Sequence, residues 1–531
     1  MQFPTPPPYP SQRSAVMADN MVVASQPLAG QAGLSMLAKG GNAVDAALAT
    51  AIALTQLEPT GNGLGSDAFA IIWDGKNLHG LNASGRSPLA WQADRFDLHG
   101  GIPERGWETV TVPGAVAGWV ELHQRFGKLP FETLFEPAIH YAQNGFVVSP
   151  IIGKLWGIAA VELNEQPGFA EHFMVNGQAP KAGERFVNMA AARTLQSIAE
   201  TQGNSFYQGH LAEQIVADAA KHGSALSMED MATNKPEWTG TVSQQFDDFS
   251  LHEIPPNGQG IAACMTLGML AHTDIRNYGP DDPDAIHLML EAMKLAFRDA
   301  LTYVADAKYM SHVASEHLLD PDYLALRAKL IDPTKAQDFK SGSPRQGGTV
   351  CLSAADSSGM MVSFIQSNFA GFGSGVVVPG TGIHLQNRGC GFTLEAGHPN
   401  QLGGGKKPFH TIIPGFLMGQ KEPIMAFGVM GGMMQAQGHV QMCVRTQLWG
   451  QDVQTAVDAP RWRVTDGLGV LCEQAMDKHL LQSLSDRGHE ITIEKPDLTF
   501  GFGGAQLIHR LHNGAYAGGS DPRKDGGAYG F

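Results

Sequence analysis

Cysteine is scarce: five in 531 residues (Cys264, Cys351, Cys390, Cys443 and Cys472), with no CxxC pair among them. Cysteines so few and scattered exclude a disulfide framework and a cysteine-rich metal site, and they suit a reducing compartment. Charge is also thin, at 16% of residues against about 25% in an average globular chain. Its basic part is the smaller one, 36 Lys and Arg facing 51 Asp and Glu, for a formal net charge of −15. Duplex binding needs clustered Lys and Arg, so nucleic acid is disfavoured as a partner. No apolar run reaches the roughly 18 residues that a membrane helix needs. The start, MQFPTPPPYPSQRSA, has prolines where a signal peptide carries its apolar stretch. The expectation is a cytoplasmic protein with no membrane partner.

Apolar residues and glycine are plentiful. Hydrophobic residues make up 43% of a chain well beyond the roughly 250–300 residues at which one core usually stops growing. Two domains or one large layered domain should result. The 64 glycines exceed the usual share of about 7% and gather in GNGLGSD, NFAGFGSG and KDGGAYG, where turns or close backbone approach are expected.

Along the chain, ASQPLAGQAGLSMLAKGGNAVDAALATAIALTQLEP predicts two helices broken at GGN, with Asp45 near the start of the second. DAFAIIWDGKNLHGLNASG alternates like a hairpin turning at DGKN. Helical patterns dominate from about 113 to 335, including AIHLMLEAMKLAFRDALTYVAD, and AQDFKSGSPRQGG (336–348) marks an exposed linker. A second hairpin follows, TVCLSAAD–SSG–MMVSFIQSN, beginning at Thr349. This order of helices and strands suits sheets covered by helices in layers, and no solenoid repeat is visible.

The second hairpin raises the chemical question. In RQGGTVCLSAAD two glycines stand directly before a β-branched hydroxyl residue. A turn entering a strand explains this blandly. A chain that cuts itself at Gly348-Thr349 explains it sharply: the freed Thr349 would be a nucleophile whose own α-amine, with an ordinary pKa of about 7.7–8.0, serves as base.

Six further blocks speak to that choice. They are MVVASQPLAGQAGLSMLAKGGNAVDAALATAIALTQLEPTGNGLGSDAF, TVPGAVAGW (111–119), FGSG (372–375), KKPFHTIIPG, FGVMGGMMQAQGH and SDPRKDGGAYG. Together with the Thr349 hairpin, and in this order, they resemble the γ-glutamyltransferase family of amino-terminal-nucleophile (Ntn) hydrolases over nearly the whole chain.

The resemblance implies an α+β, four-layer αββα sandwich. Residues 1–348 would form a large subunit and 349–531 a small one, together making one domain. Thr349 is matched to the nucleophile, and Ser367 to a second hydroxyl that contacts it. Gly431 and Gly432 match the pair whose N–H groups form an oxyanion hole. No cofactor and no metal are implied. The partners implied are the two subunits as a heterodimer, with a dimer of heterodimers as a further arrangement, and a small-molecule substrate.

Departures from the family pattern bear on that substrate. An Arg-Glu pair that holds the substrate α-carboxylate is replaced by Ser84 and Gly85, with Arg86 following. Gly391 stands where an Asp holds the α-ammonium, and His410 and Thr411 replace a double Ser. A site without those partners recognises a γ-glutamyl group poorly. Basic and polar candidates for a different substrate are Arg86, Arg388, Lys406, Lys407, His410, Thr411 and Gln435.

The patterns around GRSP and MQAQGH resemble the branch that includes oxamate amidohydrolase, which implies hydrolysis of a small anionic amide such as oxamate to oxalate and ammonia. A γ-glutamyl hydrolase or transferase and a β-lactam side-chain acylase are the alternatives within the class. An uncleaved, inactive ligand-binding homologue is the alternative outside it.

Other features have plainer readings. His287 and Glu291 share a helix face but lack a visible third ligand. GNGLGS lacks the strand-to-helix setting of a dinucleotide fingerprint. Cys351 is expected to pack, on the same side of its strand as Thr349. Asp521 and Arg523 read as a structural pair in the tail.

Overall fold

The computed structural model describes residues 12–310, 312–340, 348–494 and 501–531. The proline-rich leader through residue 11 and the linker segment 341–347 lie outside the described residues.

Two seven-stranded sheets face each other. The first runs Gly527–Gly530, Met21–Ala24, Gly348–Ala355, Met361–Phe369, Asp67–Trp73, Leu78–Ala83 and Glu237–Trp238. The second runs Val16–Ala18, Tyr516–Ser520, Gly504–Arg510, Pro423–Met430, Gly415–Met418, Phe249–Glu253 and Val242–Phe246. Both hairpins read from the sequence are present, side by side, because Met361–Phe369 also pairs with Asp67–Trp73.

Strand alternation sorts the side chains into layers. Val350, Leu352 and Ala354 point to the outer face of the first sheet and share a core with the helices Pro27–Ala38 and Ala43–Leu57. Cys351 and Ala355 point inward and join Phe416, Ala426, Met430 and Ile508 from the second sheet. Ser353, also inward, reaches the carbonyls of Ala426 at 3.2 Å and Gln506 at 3.3 Å across the gap. The outer face of the second sheet is covered by Gly260–Leu270, Pro283–Tyr303 and Met434–Cys443. The architecture is αββα, as the resemblance implies.

Helix starts follow the sequence signals. Asn42 and Asp45 form a capping box at the GGN break, each side chain accepting the other's backbone N–H at 3.0 Å. Among the described residues, no helix is long and apolar enough to cross a membrane.

Helices dominate 113–335 as expected, and the short strands Val242–Phe246 and Phe249–Glu253 within it form the edge of the second sheet. One reading needs correction. The linker is not exposed throughout, since Ala336 and Phe339 are buried and the Ala336 N–H donates to the Arg487 carbonyl at 2.7 Å.

Candidate active site

A bulge builds the centre of the site. In the Thr349 hairpin, Gly348 faces Phe369 while Val350 faces Gln366, so two residues of the second strand oppose Thr349 alone. This brings Ser367 next to Thr349. The two hydroxyl oxygens are 3.2 Å apart, and both side chains are buried. Ser367 Oγ also donates to the Gly348 carbonyl at 2.7 Å and accepts the Phe369 N–H at 2.8 Å. Gly348 fits here because it has no side chain: a β-carbon would lie 2.7 Å from the Thr60 carbonyl oxygen.

One guanidinium enters this centre. Arg388 is fully buried, donates through Nη2 to Ser367 Oγ at 2.7 Å and through Nη1 to Thr411 Oγ1 at 2.9 Å. Its charged carbon lies 4.9 Å from the centre of the Phe369 ring. Asp67, paired in register with Ser367, is its countercharge. Burial pushes the Asp67 carboxyl up to about 6, opposed by Arg388 and by N–H bonds from Gly85 and Gly114. Burial likewise pulls Arg388 down to about 9, opposed by Asp67. Between those values both groups are charged.

His410 is the neutral member of this set. Its Nδ1 accepts the Ile412 N–H at 3.3 Å, so the proton sits on Nε2, which donates to Asp67 Oδ2 at 3.1 Å. Burial, then Arg388 and Lys407, hold the imidazole well below its ordinary pKa.

The opposite wall comes from the second sheet. After the strand Pro423–Met430, Gly431 (φ 122°) and Gly432 (φ 63°) turn the chain into the helix Met434–Cys443 with backbone that only glycine adopts easily. Gln435, in the first turn of that helix, accepts the Ile413 N–H at 2.9 Å and aims Nε2 at Thr349 Oγ1 from 3.5 Å. Gln259 ties the walls together, donating to the carbonyls of Thr411 at 2.5 Å and Gly432 at 2.9 Å. Thr349, Ser367, Arg388, His410, Thr411 and Gln435 thus form one connected set, with Gly432 linked through Gln435 and Gln259.

Other candidates fall outside it. Arg86 is not the guanidinium that touches the Thr349 and Ser367 hydroxyls; it is held by Asp306 at 2.6 Å and Glu237 at 2.8 Å. Together with Lys407 it lines a separate cavity of about 210 Å³. Lys407 contacts Asn82 and Glu237, and Lys406 is engaged by the carbonyls of Pro399 and Gln401. Cys351 packs, its Sγ 3.4 Å from the Gly428 carbonyl, with burial raising its thiol pKa. Asp521 and Arg523 brace the tail through Arg461 and Glu473.

Gly61 and Gly63 of GNGLGS press against the Thr349 backbone and the His384 ring, so the run is a packing element beside the site.

A third partner for His287 and Glu291 does exist: His489, 202 residues away. The hydrogen bonds already use the ligand atoms. His287 Nε2 donates to the Asp332 carbonyl, His489 Nε2 donates to His287 Nδ1 at 2.8 Å, and Lys294 bonds Glu291 at 2.7 Å. An ammonium ion at the centre of the cluster disfavours a metal there.

The replaced clamp positions have a structural reason. A β-carbon at Gly85 would fall on the Val112 carbonyl oxygen, and one at Gly391 on the Phe409 carbonyl oxygen. Neither position can hold the family's Glu or Asp on this backbone.

Sequence reasoning missed Asp67, Gln259 and Phe369. Asp67 carried one signal, an acidic residue at the mouth of the apolar run AFAIIW. The other two carried none.

The model of the gamma-glutamyltranspeptidase family matches residues 29–531, and the chain belongs to that family of amide-cleaving Ntn hydrolases. It is 34% identical to the glutathione hydrolase-like YwrD proenzyme of Bacillus subtilis, covering 98% of this chain and 100% of that one. It is also 34% identical to the oxamate amidohydrolase proenzyme of Klebsiella pneumoniae, covering 98% and 99%. The crystal structure of a cephalosporin acylase from Bacillus halodurans superposes with a TM-score of 0.95 at 45% identity, covering 100% of this chain and 99% of that one.

Proposed function

We propose that this chain cuts itself between Gly348 and Thr349 and then hydrolyses a small amide carrying a carboxylate close to the scissile bond, with oxamate the first substrate to test. Segments 1–348 and 349–531 stay together after the cut, because each contributes hydrogen-bonded strands to both sheets. Thr349 Oγ1 attacks the substrate carbonyl with the freed α-amine as base, and the N–H groups of Gly431 and Gly432 receive the oxyanion.

The observation that carries the substrate class is Arg388. It is the buried cation bonded to the Ser367 and Thr411 hydroxyls beside Thr349, and its Nε has no hydrogen-bond partner among the described residues. A guanidinium has five N–H donors arranged to grip a carboxylate in two places. The blocked positions Gly85 and Gly391 count against a γ-glutamyl group. The resemblance to the Klebsiella oxamate amidohydrolase proenzyme supports oxamate within this class.

The test is ammonia release from oxamate compared with release from a γ-glutamyl anilide, after intact mass has shown a fragment beginning at Thr349. Turnover of the anilide alone would overturn the substrate reading. The 45% identity to the Bacillus halodurans acylase favours a second reading, deacylation of a cephalosporin with a carboxylated side chain. Liquid chromatography of such a β-lactam with the same protein separates the two.

A further inference from the structure

Ser367 Oγ has four polar neighbours, and counting them fixes the direction of its proton. The Phe369 N–H donates to it from 2.8 Å and Arg388 Nη2 from 2.7 Å. A hydroxyl has two lone pairs and one proton. Those two donors occupy both lone pairs, so the proton points at the other close neighbour, the Gly348 carbonyl oxygen at 2.7 Å. The Thr349 hydroxyl, at 3.2 Å, has the weakest hold on Ser367. The carbonyl so engaged belongs to the peptide bond between Gly348 and Thr349.

Resting on the self-cleavage reading above, we propose that Arg388 is a positioning residue for chain scission: it saturates Ser367, so that the Ser367 hydroxyl donates to the scissile carbonyl instead of acting as a base toward Thr349. The guanidinium suits this task because it is fixed at several points. Nη1 is anchored on Thr411, the Phe369 ring packs against it, and the same Phe369 supplies the second donor to Ser367. A bonded cation also polarises the Ser367 O–H, making it a stronger donor.

In the step, Thr349 Oγ1 bonds to the Gly348 carbonyl carbon, and the carbonyl oxygen becomes an oxyanion held by the Ser367 O–H. The oxyanion collapses, the C–N bond breaks, and the Thr349 hydroxyl proton ends on the freed nitrogen. Water then hydrolyses the ester, restoring the Thr349 hydroxyl and leaving a carboxyl on Gly348. Ser367 keeps its proton throughout.

The experiment follows cutting of newly translated full-length chain over time by intact mass, for wild type, Ser367→Ala and Arg388→Met. Loss of one oxyanion donor slows a reaction by about 10²–10³-fold, and Ser367→Ala should fall in that range. Arg388→Met should slow cutting at least about tenfold and be restored by guanidinium ion, added far below denaturing concentrations, but not by equal ammonium; a purely structural role predicts no such rescue. If the Met variant does not fold, Arg388→Lys carries the test, because a single ammonium nitrogen on a flexible stem does not reproduce the rigid two-nitrogen fork that meets Thr411 through Nη1 and Ser367 through Nη2, and the same slowing is expected. Wild-type cutting with Arg388 variants equally fast, or slowed but not rescued by guanidinium, overturns this inference alone. A wild-type chain that never cuts overturns it together with the self-cleavage reading.

Discussion

Asp67 and His410, 343 residues apart in sequence, form a fully buried pair with Asp67 Oδ2 3.1 Å from His410 Nε2. The histidine is neutral, so the Asp67 charge is left to balance Arg388. That balance sets a pH window. Asp67, raised to about 6 by burial, is ionised above that pH, and Arg388, lowered to about 9 by burial, is protonated below that one. Turnover should therefore fall on the alkaline side above about pH 9 as Arg388 loses its proton, and on the acid side first as the Thr349 α-amine, with an ordinary pKa of about 7.7–8.0, gains a proton and ceases to act as base, then further near pH 6 as Asp67 is protonated. Asp67→Asn removes the countercharge, so its alkaline limb moves below that of wild type. Breaking a buried pair from one side also costs about 3–5 kcal/mol of stability. Profiles of kcat/KM against pH, with Tm for both proteins, check this; an unmoved alkaline limb would detach Asp67 from Arg388.

Thr349→Ala should leave a single full-length chain and no turnover. The fold should survive, because alanine removes only a hydroxyl and a methyl group at a position whose strand pairing comes from the backbone. Intact mass and Tm provide the readings. An active alanine variant would end the nucleophile assignment.

These residues show what can be read from sequence and what cannot. The hairpin at Thr349 was legible because its signal is local: glycines, a hydroxyl residue and alternating strands lie within a few residues of each other. The helices flanking GGN were legible for the same reason, through apolar spacing and an Asx cap. The choice between Arg86 and Arg388 was not. Both follow turn-forming residues, and only the packing of one sheet against its loops shows that Asp306 and Glu237 hold the first while Ser367 and Thr411 receive the second. His489 was hidden from His287 in the same way, by 202 residues of intervening chain. The short edge strands near 242–253 were obscured by polar residues on their outward positions.

Arg86→Ala tests that choice directly. Because its guanidinium is spent on Asp306 and Glu237, truncation should change KM for the amide substrate less than twofold, while Arg388→Ala raises it strongly or abolishes turnover. The cost of Arg86→Ala appears in folding. Asp306 is nearly buried, and losing a charged hydrogen-bond partner there is worth about 1.5–3 kcal/mol. A raised KM with unchanged Tm would return Arg86 to the substrate pocket.

The buried His287, Glu291 and His489 cluster should behave as a structural network with no metal requirement. Dialysis against a chelator is expected to leave Tm and turnover unchanged, since hydrogen bonds from Lys294, His489 and His287 already occupy the ligand atoms. His489→Leu should lower Tm by leaving His287 Nδ1 without its donor, and added zinc should not restore it. Zinc-dependent recovery would show that the cluster holds an ion in place of Lys294.

Gly391→Asp asks whether this scaffold can be returned to γ-glutamyl recognition by one residue. The family pattern places an Asp there to hold an α-ammonium. On this backbone, however, the new β-carbon collides with the Phe409 carbonyl oxygen, which belongs to the segment that carries His410 and Thr411. Relief of that clash has to displace the segment, so the carboxylate would be gained by moving the groups that brace Arg388. The expected outcome is a loss of about 1–3 kcal/mol in stability, the usual range for overpacking, with a fall in amidase turnover and no γ-glutamyl anilide hydrolysis. Tm and the two activity assays on the same preparation decide the matter. If the variant gained anilide turnover without losing stability, the backbone around Gly391 would be more compliant than the packing indicates, and the argument against γ-glutamyl substrates would rest on Gly85 alone.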